Sequence, residues 1–321
     1  MQANNSAEHA AAPRNEAGRL PATGKARDRR LDVSRFVNSL MSGYEYRGQA
    51  VHLEAIPARE ASYAQVDPPI APPLAGALGR MGISSLYTHQ AEAVQLAREG
   101  RDIVVVTSTA SGKTLCYNIP VIEELIRDPG ATALYVFPTK ALAQDQQRGL
   151  ARIAELEPRL PVRSGTYDGD TPDSTRRKLR EQANIILTNP DMLHQGILPS
   201  HPGWRRLFAG LRYVVIDEIH AYRGVFGSNV ANVIRRLRRV CAHYGSDPTF
   251  VCCSATIANP GELAAGICGK PVQIVDNDGA PRGARKFMFW NPPRLEGSME
   301  RRSSNAEAER LLVQLITLGI P

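Results

Sequence analysis

Seven short apolar runs, set apart by helix-length stretches, constrain this chain more than any other feature of its sequence. The runs are Asp102–Thr107, Ala131–Phe137, Val162–Tyr167, Asn184–Thr188, Leu211–Asp217, Thr249–Ser254 and Val272–Val275. Between them the pattern predicts helices over residues 88–99, 113–127, 140–156, 171–182, 191–198 and 225–244. A run as continuously apolar as Ile103-Val104-Val105-Val106 suits a strand covered on both faces. Strand–helix alternation of this kind specifies an α/β fold with a doubly wound, mostly parallel sheet.

The remaining sequence sets the limits of that domain. A chain of 321 residues has room for about two domains of roughly 150 residues each. Residues 1–30 hold only Met1 and Leu20 as large apolar side chains and are expected to be a disordered tail. Residues 31–73 read as an N-terminal extension ending in Asp67-Pro68-Pro69-Ile70-Ala71-Pro72-Pro73, a stiff connector that resists helix and sheet. The α/β domain is expected over 74–295, and 296–321 reads as a linker plus a helix at 306–318 that opens an unfinished second unit. No run of 18 apolar residues occurs, which excludes a membrane-spanning helix. The five cysteines are odd in number and lack C-x-x-C spacing, so a reduced, cytoplasmic protein is expected. Lys plus Arg exceed Asp plus Glu by 39 to 32, a net +7 that is compatible with a polyanionic partner.

The chemistry concentrates where predicted strands end. Ser108-Thr109-Ala110-Ser111-Gly112-Lys113-Thr114 lies between an apolar strand and a helix. Small residues let backbone N–H groups close around phosphates, a Lys neutralises the β/γ oxygens, and a hydroxyl can ligate Mg²⁺. The strict form of this loop asks for Gly where Thr107 stands. A second run, Leu211 to Ile216, ends in Asp217-Glu218-Ile219-His220, where one carboxylate can hold Mg²⁺ and its neighbour can polarise an attacking water. A third delivers Ser254-Ala255-Thr256. All three fall at the C-terminal ends of predicted strands, where open α/β sheets bind their ligands.

These motifs, in this order, resemble superfamily 2 helicases of the DExH type, whose motor domains are RecA-like P-loop NTPases. Gln90, in Leu86-Tyr87-Thr88-His89-Gln90, matches the family glutamine that recognises adenine. Phe137-Pro138-Thr139-Lys140-Ala141 resembles the first strand-contacting motif, and Thr188-Asn189-Pro190-Asp191-Met192 a later one, with Tyr167-Asp168-Gly169-Asp170 between. The loop carries Ala110 where the family usually has Gly. The longer stretch Asp217 to Val233 is similar to the mitomycin-repair helicases and their RecQ-like eukaryotic relatives. So are Pro57-Ala58-Arg59 and Phe289-Trp290-Asn291-Pro292-Pro293.

The resemblance implies an ATP-dependent motor domain acting in DNA repair, with ATP and Mg²⁺ as cofactors and single-stranded DNA as partner. It implies that Thr109, Ala110, Ser111, Gly112, Lys113 and Thr114 cradle the nucleotide and that Thr114 and Asp217 hold Mg²⁺. Glu218 would activate water, while His220, Ser254 and Thr256 couple nucleotide state to strand grip. Pro138, Thr139, Lys140, Gly169, Thr188 and Asn189 would contact the strand. It also implies a second RecA-like domain, bearing an arginine finger, that this sequence does not contain. Two alternatives stay open: a one-domain nucleotide- and strand-binding module, and an enzyme acting on RNA, since phosphate contacts do not read the sugar. Helix 225–244 has one apolar face and an opposite face bearing Arg235, Arg236, Arg238 and Arg239, read either as solvated or as a nucleic-acid or partner surface.

Overall fold

The computed structural model describes residues 33–295 and 297–317; the readings of residues 1–30 and of the last four residues lie outside them. The chain divides into two compact units, one of residues 57–283 and one made of the segments before and after it.

In the larger unit all seven expected strands form, each within a residue or two of its apolar run. They are β1 (Ile103–Val106), β2 (Thr132–Val136), β3 (Ser164–Thr166), β4 (Ile185–Thr188), β5 (Leu211–Ile216), β6 (Thr249–Ser254) and β7 (Gln273–Val275). Every pairing is parallel, in the order β7-β1-β6-β5-β2-β4-β3. The longer helices of this unit are α1 (Pro72–Arg80), α2 (Thr88–Arg98), α3 (Thr114–Arg127), α4 (Lys140–Leu156), α5 (Asp173–Gln182), α6 (Gly224–His243) and α7 (Pro260–Cys268).

Alternate strand residues point to opposite faces, and here both faces are covered. Ile103, Val105, Tyr135, Val215 and Cys253 pack with residues of α1 to α4, whereas Val104, Leu134, Val214, Ile216 and Cys252 pack with α6 and α7. This double burial is why the strands carry no polar alternation. Each fully buried Val or Ile contributes about 1.5–3 kcal/mol. The register sets Val106 beside Ser254, and Ile216 beside both Cys252 and Val136. The loops that follow β1, β2, β5 and β6 therefore leave one edge of the sheet together.

Three expectations need correcting. Pro72 and Pro73 do not belong to a connector; they open α1, where a missing N–H costs nothing because the first turn leaves it unpaired. The region 57–73 belongs to the sheet unit, tied there by Arg59 bridging to Arg282, Ser62 to Gly279, and Arg98 to the Pro68 carbonyl. The stretch expected as helix over 191–198 is a short helical turn, Pro190–Met192, running into a π-helical turn, Leu193–Ile197. Helix α7 has no counterpart among the expected elements, because Ala264, Ala265 and Gly266 give it little apolar contrast.

The smaller unit pairs Ala50–Ile56 antiparallel with Arg285–Trp290 and carries helices Val33–Ser42 and Ser304–Thr317. Glu307 is buried there and satisfied by Trp290, Arg302 and Arg310. Among the described residues no helix is long and apolar enough to cross a membrane.

Candidate active site

The loop between β1 and α3 is the candidate phosphate cradle. Gly112 has φ +77°, and a Cβ there would lie 2.5 Å from the Gln90 amide nitrogen, so no other residue fits without moving Gln90. Ala110 adopts φ +61°, a left-handed conformation that costs a non-glycine residue about 1–2 kcal/mol. The backbone thus takes the shape that glycine usually supplies at that position, at a strain cost. Thr109 and Ala110 are exposed, whereas Ser111 is buried with its hydroxyl 2.7 Å from that of Thr107. The residue standing where the strict pattern asks for Gly therefore pins the loop from inside. Lys113 Nζ donates to the carbonyls of Thr107 (3.1 Å) and Ser108 (2.9 Å).

Facing it from β5, Asp217 is buried, and burial pushes its carboxyl pKa up, aided by the Glu218 charge and opposed by the Glu218 amide and the Tyr117 hydroxyl. Its Oδ1 accepts from Glu218 N–H at 2.8 Å and its Oδ2 from the Tyr117 hydroxyl at 3.2 Å. Tyr117 lies one turn beyond Thr114 on α3; that i,i+3 spacing was the available signal for it. Glu218 is the second non-glycine residue with positive φ, +51°, which turns the chain sharply off the strand. Its Oε2 lies 3.1 Å from His220 Nδ1, and the same nitrogen accepts from the Ala255 amide at 3.3 Å. One ring nitrogen cannot serve both: unprotonated it accepts from Ala255, protonated it pairs with Glu218. His220 thus stands between the second and third motifs. Beside it the Ser254 hydroxyl is fully buried without a partner, and Thr256 borders an open cleft next to α6.

Gln90 is placed beside the loop with its amide already engaged. Oε1 accepts from Tyr87 N–H (2.9 Å) and Nε2 donates to the Gly112 carbonyl (3.0 Å), at 2% exposure.

Three residues outside the expected set hold the loop in place. Asp278, after β7, accepts from both the Ser108 amide (3.2 Å) and hydroxyl (2.8 Å) and pairs with Arg59 at 3.0 Å. Burial alone would raise its pKa; the Ser108 hydroxyl, Arg59 and two backbone amides outweigh that and hold it at about 2. His89 is fully buried, and burial lowers its pKa against the pull of Asp278. Its Nδ1 accepts from Gly279 N–H at 3.2 Å, so Nε2 carries the proton and donates to the Ser111 carbonyl at 3.1 Å. No spacing rule connects residues 59, 89 and 278; only the fold brings them together. Asp278→Asn is expected to free Ser108, strand the Arg59 charge and weaken nucleotide binding roughly tenfold. Titration with a fluorescent ATP analogue, with circular dichroism as the folding control, reads this. With the carboxylate depressed from 3.8 to about 2, the clamp is at full strength above about pH 4 and is lost as pH falls through about 2.

The candidate strand-contacting residues form a separate cluster at the ends of β2, β3 and β4. Thr139 caps α4, its hydroxyl accepting from Leu142 N–H, and Lys140 pairs with Asp170 at 2.6 Å, both side chains lying in solvent. Gly169 adjoins Lys140 Nζ, and Pro138 is half-buried at the mouth of the cluster. Asn189 caps the turn Pro190–Met192 through its Oδ1, which leaves its NH₂ group available. Thr188 differs from the expectation: it is buried and its hydroxyl donates to the Tyr167 carbonyl at 2.7 Å, so it supports the cluster from beneath and offers no donor to a phosphate.

A strand-end carboxylate pair, a lysine-bearing loop and a histidine bridge to a third motif thus meet at one edge of the sheet. Residues 87–263 match the model of the DEAD/DEAH box helicase family, and the chain belongs to that family. It is 49% identical to the ATP-dependent helicase YprA of Bacillus subtilis over 281 residues, covering 87% of this chain and 37% of that protein. It is 40% identical to the ATP-dependent helicase hrq1 of Schizosaccharomyces pombe over 291 residues, 88% of this chain and 27% of that one. Among solved structures it superposes on the DUF1998 helicase MrfA bound to DNA and AMPPNP with a TM-score of 0.83 at 48% identity, over 89% of this chain and 39% of that one. The chain thus spans well under half the length of these relatives.

Proposed function

We propose that this chain is the ATP-binding first motor domain of a DNA helicase acting in repair, hydrolysing ATP and gripping the phosphates of single-stranded DNA. The observation that carries the reading is the convergence of Lys113, Asp217, Glu218 and His220 on one sheet edge, beside a loop held open by left-handed Ala110 and Gly112. The residues fit a nucleoside triphosphate and a divalent ion. Exposed Thr109 and Ala110 offer backbone N–H groups, Lys113 has only carbonyl partners to leave, and Asp217 and the Thr114 hydroxyl supply two hard oxygen ligands. Mg²⁺ bound there would neutralise charge on the β/γ oxygens.

In this reading the loop fixes the triphosphate and Lys113 moves from its carbonyls to the β/γ oxygens. Glu218 orients a water and takes its proton as the water oxygen bonds the γ-phosphorus and the bond to the β–γ bridging oxygen breaks. Protonation of His220 would transfer it from Ala255 towards Glu218, linking the reacting site to the 254–256 loop. Thr139, Lys140, Gly169 and Asn189 would hold the strand through its phosphates. We assign the arginine finger to a second RecA-like domain, so this chain alone is expected to bind ATP and turn it over slowly. The five buried free thiols suit a reducing compartment, and we place the protein in the cytoplasm.

The test is ATP binding and hydrolysis by this chain with and without single-stranded DNA. ATP binding with turnover near background supports the reading; fast DNA-stimulated turnover would mean that the finger lies within this chain. Because burial raises the Asp217 pKa, Mg²⁺ must displace a proton at a higher pH than an ordinary carboxylate would require. As pH falls, Mg²⁺-dependent ATP affinity is therefore expected to be lost sooner than an ordinary carboxylate would lose it. Asp217→Asn should abolish that pH dependence, which calorimetry at several pH values would show.

A further inference from the structure

Helix α6 leaves a groove that none of the motifs above accounts for. It runs between α6 and the turn that follows Thr188 and Asn189, has a volume of about 460 Å³, and is lined by His194, Phe226, Asn229, Arg236 and Arg239, with Asp191 its one carboxylate. Phe226, Asn229, Val233 and Arg236 recur at i, i+3, i+7 and i+10, so they form one stripe of the helix rather than scattered surface residues. Phe226 is 42% exposed despite resting its ring on Tyr222 at 5.6 Å. Arg236 reaches across the groove to the His194 carbonyl and ring at 3.5 and 3.4 Å, long contacts that leave its charge largely uncompensated.

The structure also separates the four arginines that looked alike in the sequence. Arg238 donates to the Cys268 and Gly269 carbonyls and closes the end of α7, a structural task. Arg235 turns to Asn232 on its own helix and borders the cleft on the other side. Arg236 and Arg239 alone face the groove. An exposed aromatic ring at one end, amide side chains between, and two guanidinium groups at the other make the arrangement that single strands use: bases stack on the ring while phosphates follow the cations. The groove begins at Pro190, directly after Asn189, so it continues the strand cluster rather than standing apart from it.

We infer that this groove carries a single nucleic-acid strand onward from the Thr139–Lys140–Asn189 cluster, with Arg236 and Arg239 on its phosphates and Phe226 against a base. The inference rests on the proposed strand-binding function and extends it to residues outside the family's motifs. The test is binding of fluorescent single-stranded oligonucleotides by this chain over a series of salt concentrations. Arg236→Ala with Arg239→Ala is expected to weaken binding about tenfold or more and to flatten the slope of log affinity against log salt by about 1.4, two phosphate contacts at ~0.7 each. Phe226→Ala should weaken binding about tenfold with the slope unchanged. ATP affinity should stay at the parent value throughout.

Lys140→Ala distinguishes the two levels of the argument. If Lys140→Ala weakens binding while the arginine pair and Phe226 variants bind as the parent does, the groove inference falls and the strand cluster stands; the groove then belongs to a protein partner or to solvent. If the parent chain binds no single strand at any salt, the underlying reading falls with it. Arg239→Glu, at an exposed position with no hydrogen bond or ion pair among the described residues, guards against a folding artefact and should weaken binding more than Arg239→Ala. Equal affinity of the parent and Arg239→Glu overturns the inference.

Discussion

Lys113→Ala is expected to reduce ATP affinity by about 10²-fold, because a charged donor to the β/γ oxygens contributes about 3 kcal/mol that no neighbour can replace. Geometry makes this variant unusually clean. Among the described residues Lys113 Nζ bonds only the Thr107 and Ser108 carbonyls, both at the loop's own edge, and forms no ion pair within 4 Å. The loop's shape is set elsewhere, by the Thr107–Ser111 hydroxyl pair, by Asp278 on Ser108 and by His89 on Ser111. Alanine therefore removes the phosphate's cation and leaves the cradle standing, and the melting temperature should change little. Isothermal calorimetry with ATP and Mg²⁺, beside thermal melts, reads both quantities. Parent-like ATP affinity in the variant would remove Lys113 from the site, and with it the central assignment of the phosphate loop. A collapse in melting temperature would instead show that the lysine holds the loop itself, contrary to the separation of roles seen in the structure.

The fold was legible because both faces of the sheet are buried. Strands with no polar alternation, such as Ile103–Val106 and Ile185–Thr188, announce a covered parallel sheet, and their ends place the motifs without further information. What stayed hidden depended on context that local pattern does not carry. Pro72-Pro73 looks like a breaker until one knows that a helix starts there. The pairing of Ala50–Ile56 with Arg285–Trp290 joins segments more than two hundred residues apart, and no periodicity reports a partner at that distance.

Legibility in the site followed the same division. The placement of Lys113, Asp217, Glu218 and His220 at one sheet edge was readable because each follows the end of an apolar run. Asp278, His89 and Arg59 were not, since each is ordinary in its own segment and gains meaning only where Ser108 and Ser111 lie. Gln90 and Thr188 show the converse: matching residues whose polar groups the fold spends internally. The four arginines of α6 carry equal charge in the sequence, yet one closes a neighbouring helix and two face a groove.

Glu218→Gln is expected to leave ATP affinity within about threefold of the parent. Hydrolysis should fall by about 10²–10⁴-fold, the usual contribution of a general base, or to the uncatalysed background if that is reached first. Glutamine keeps the length of the side chain and can occupy the left-handed backbone at φ +51° at a cost similar to that of glutamate, so the turn into Ile219–Ala221 should survive. Two things are lost: the ability to take a proton from water, and the charge that His220 would meet when protonated. The second loss yields a signature that a merely structural role would not. Removing the carboxylate takes away one of the two neighbours of His220 Nδ1 and leaves Ala255 N–H as the other, so the NMR signals of the His220 ring and of the Ala255 amide should both move in the variant. Single-turnover hydrolysis of labelled ATP, followed for hours so that slow parental turnover is resolved, supplies the rate. Retained hydrolysis would remove Glu218 as the base; lost hydrolysis with unchanged His220 ring and Ala255 amide signals would keep the base and dismiss the histidine bridge.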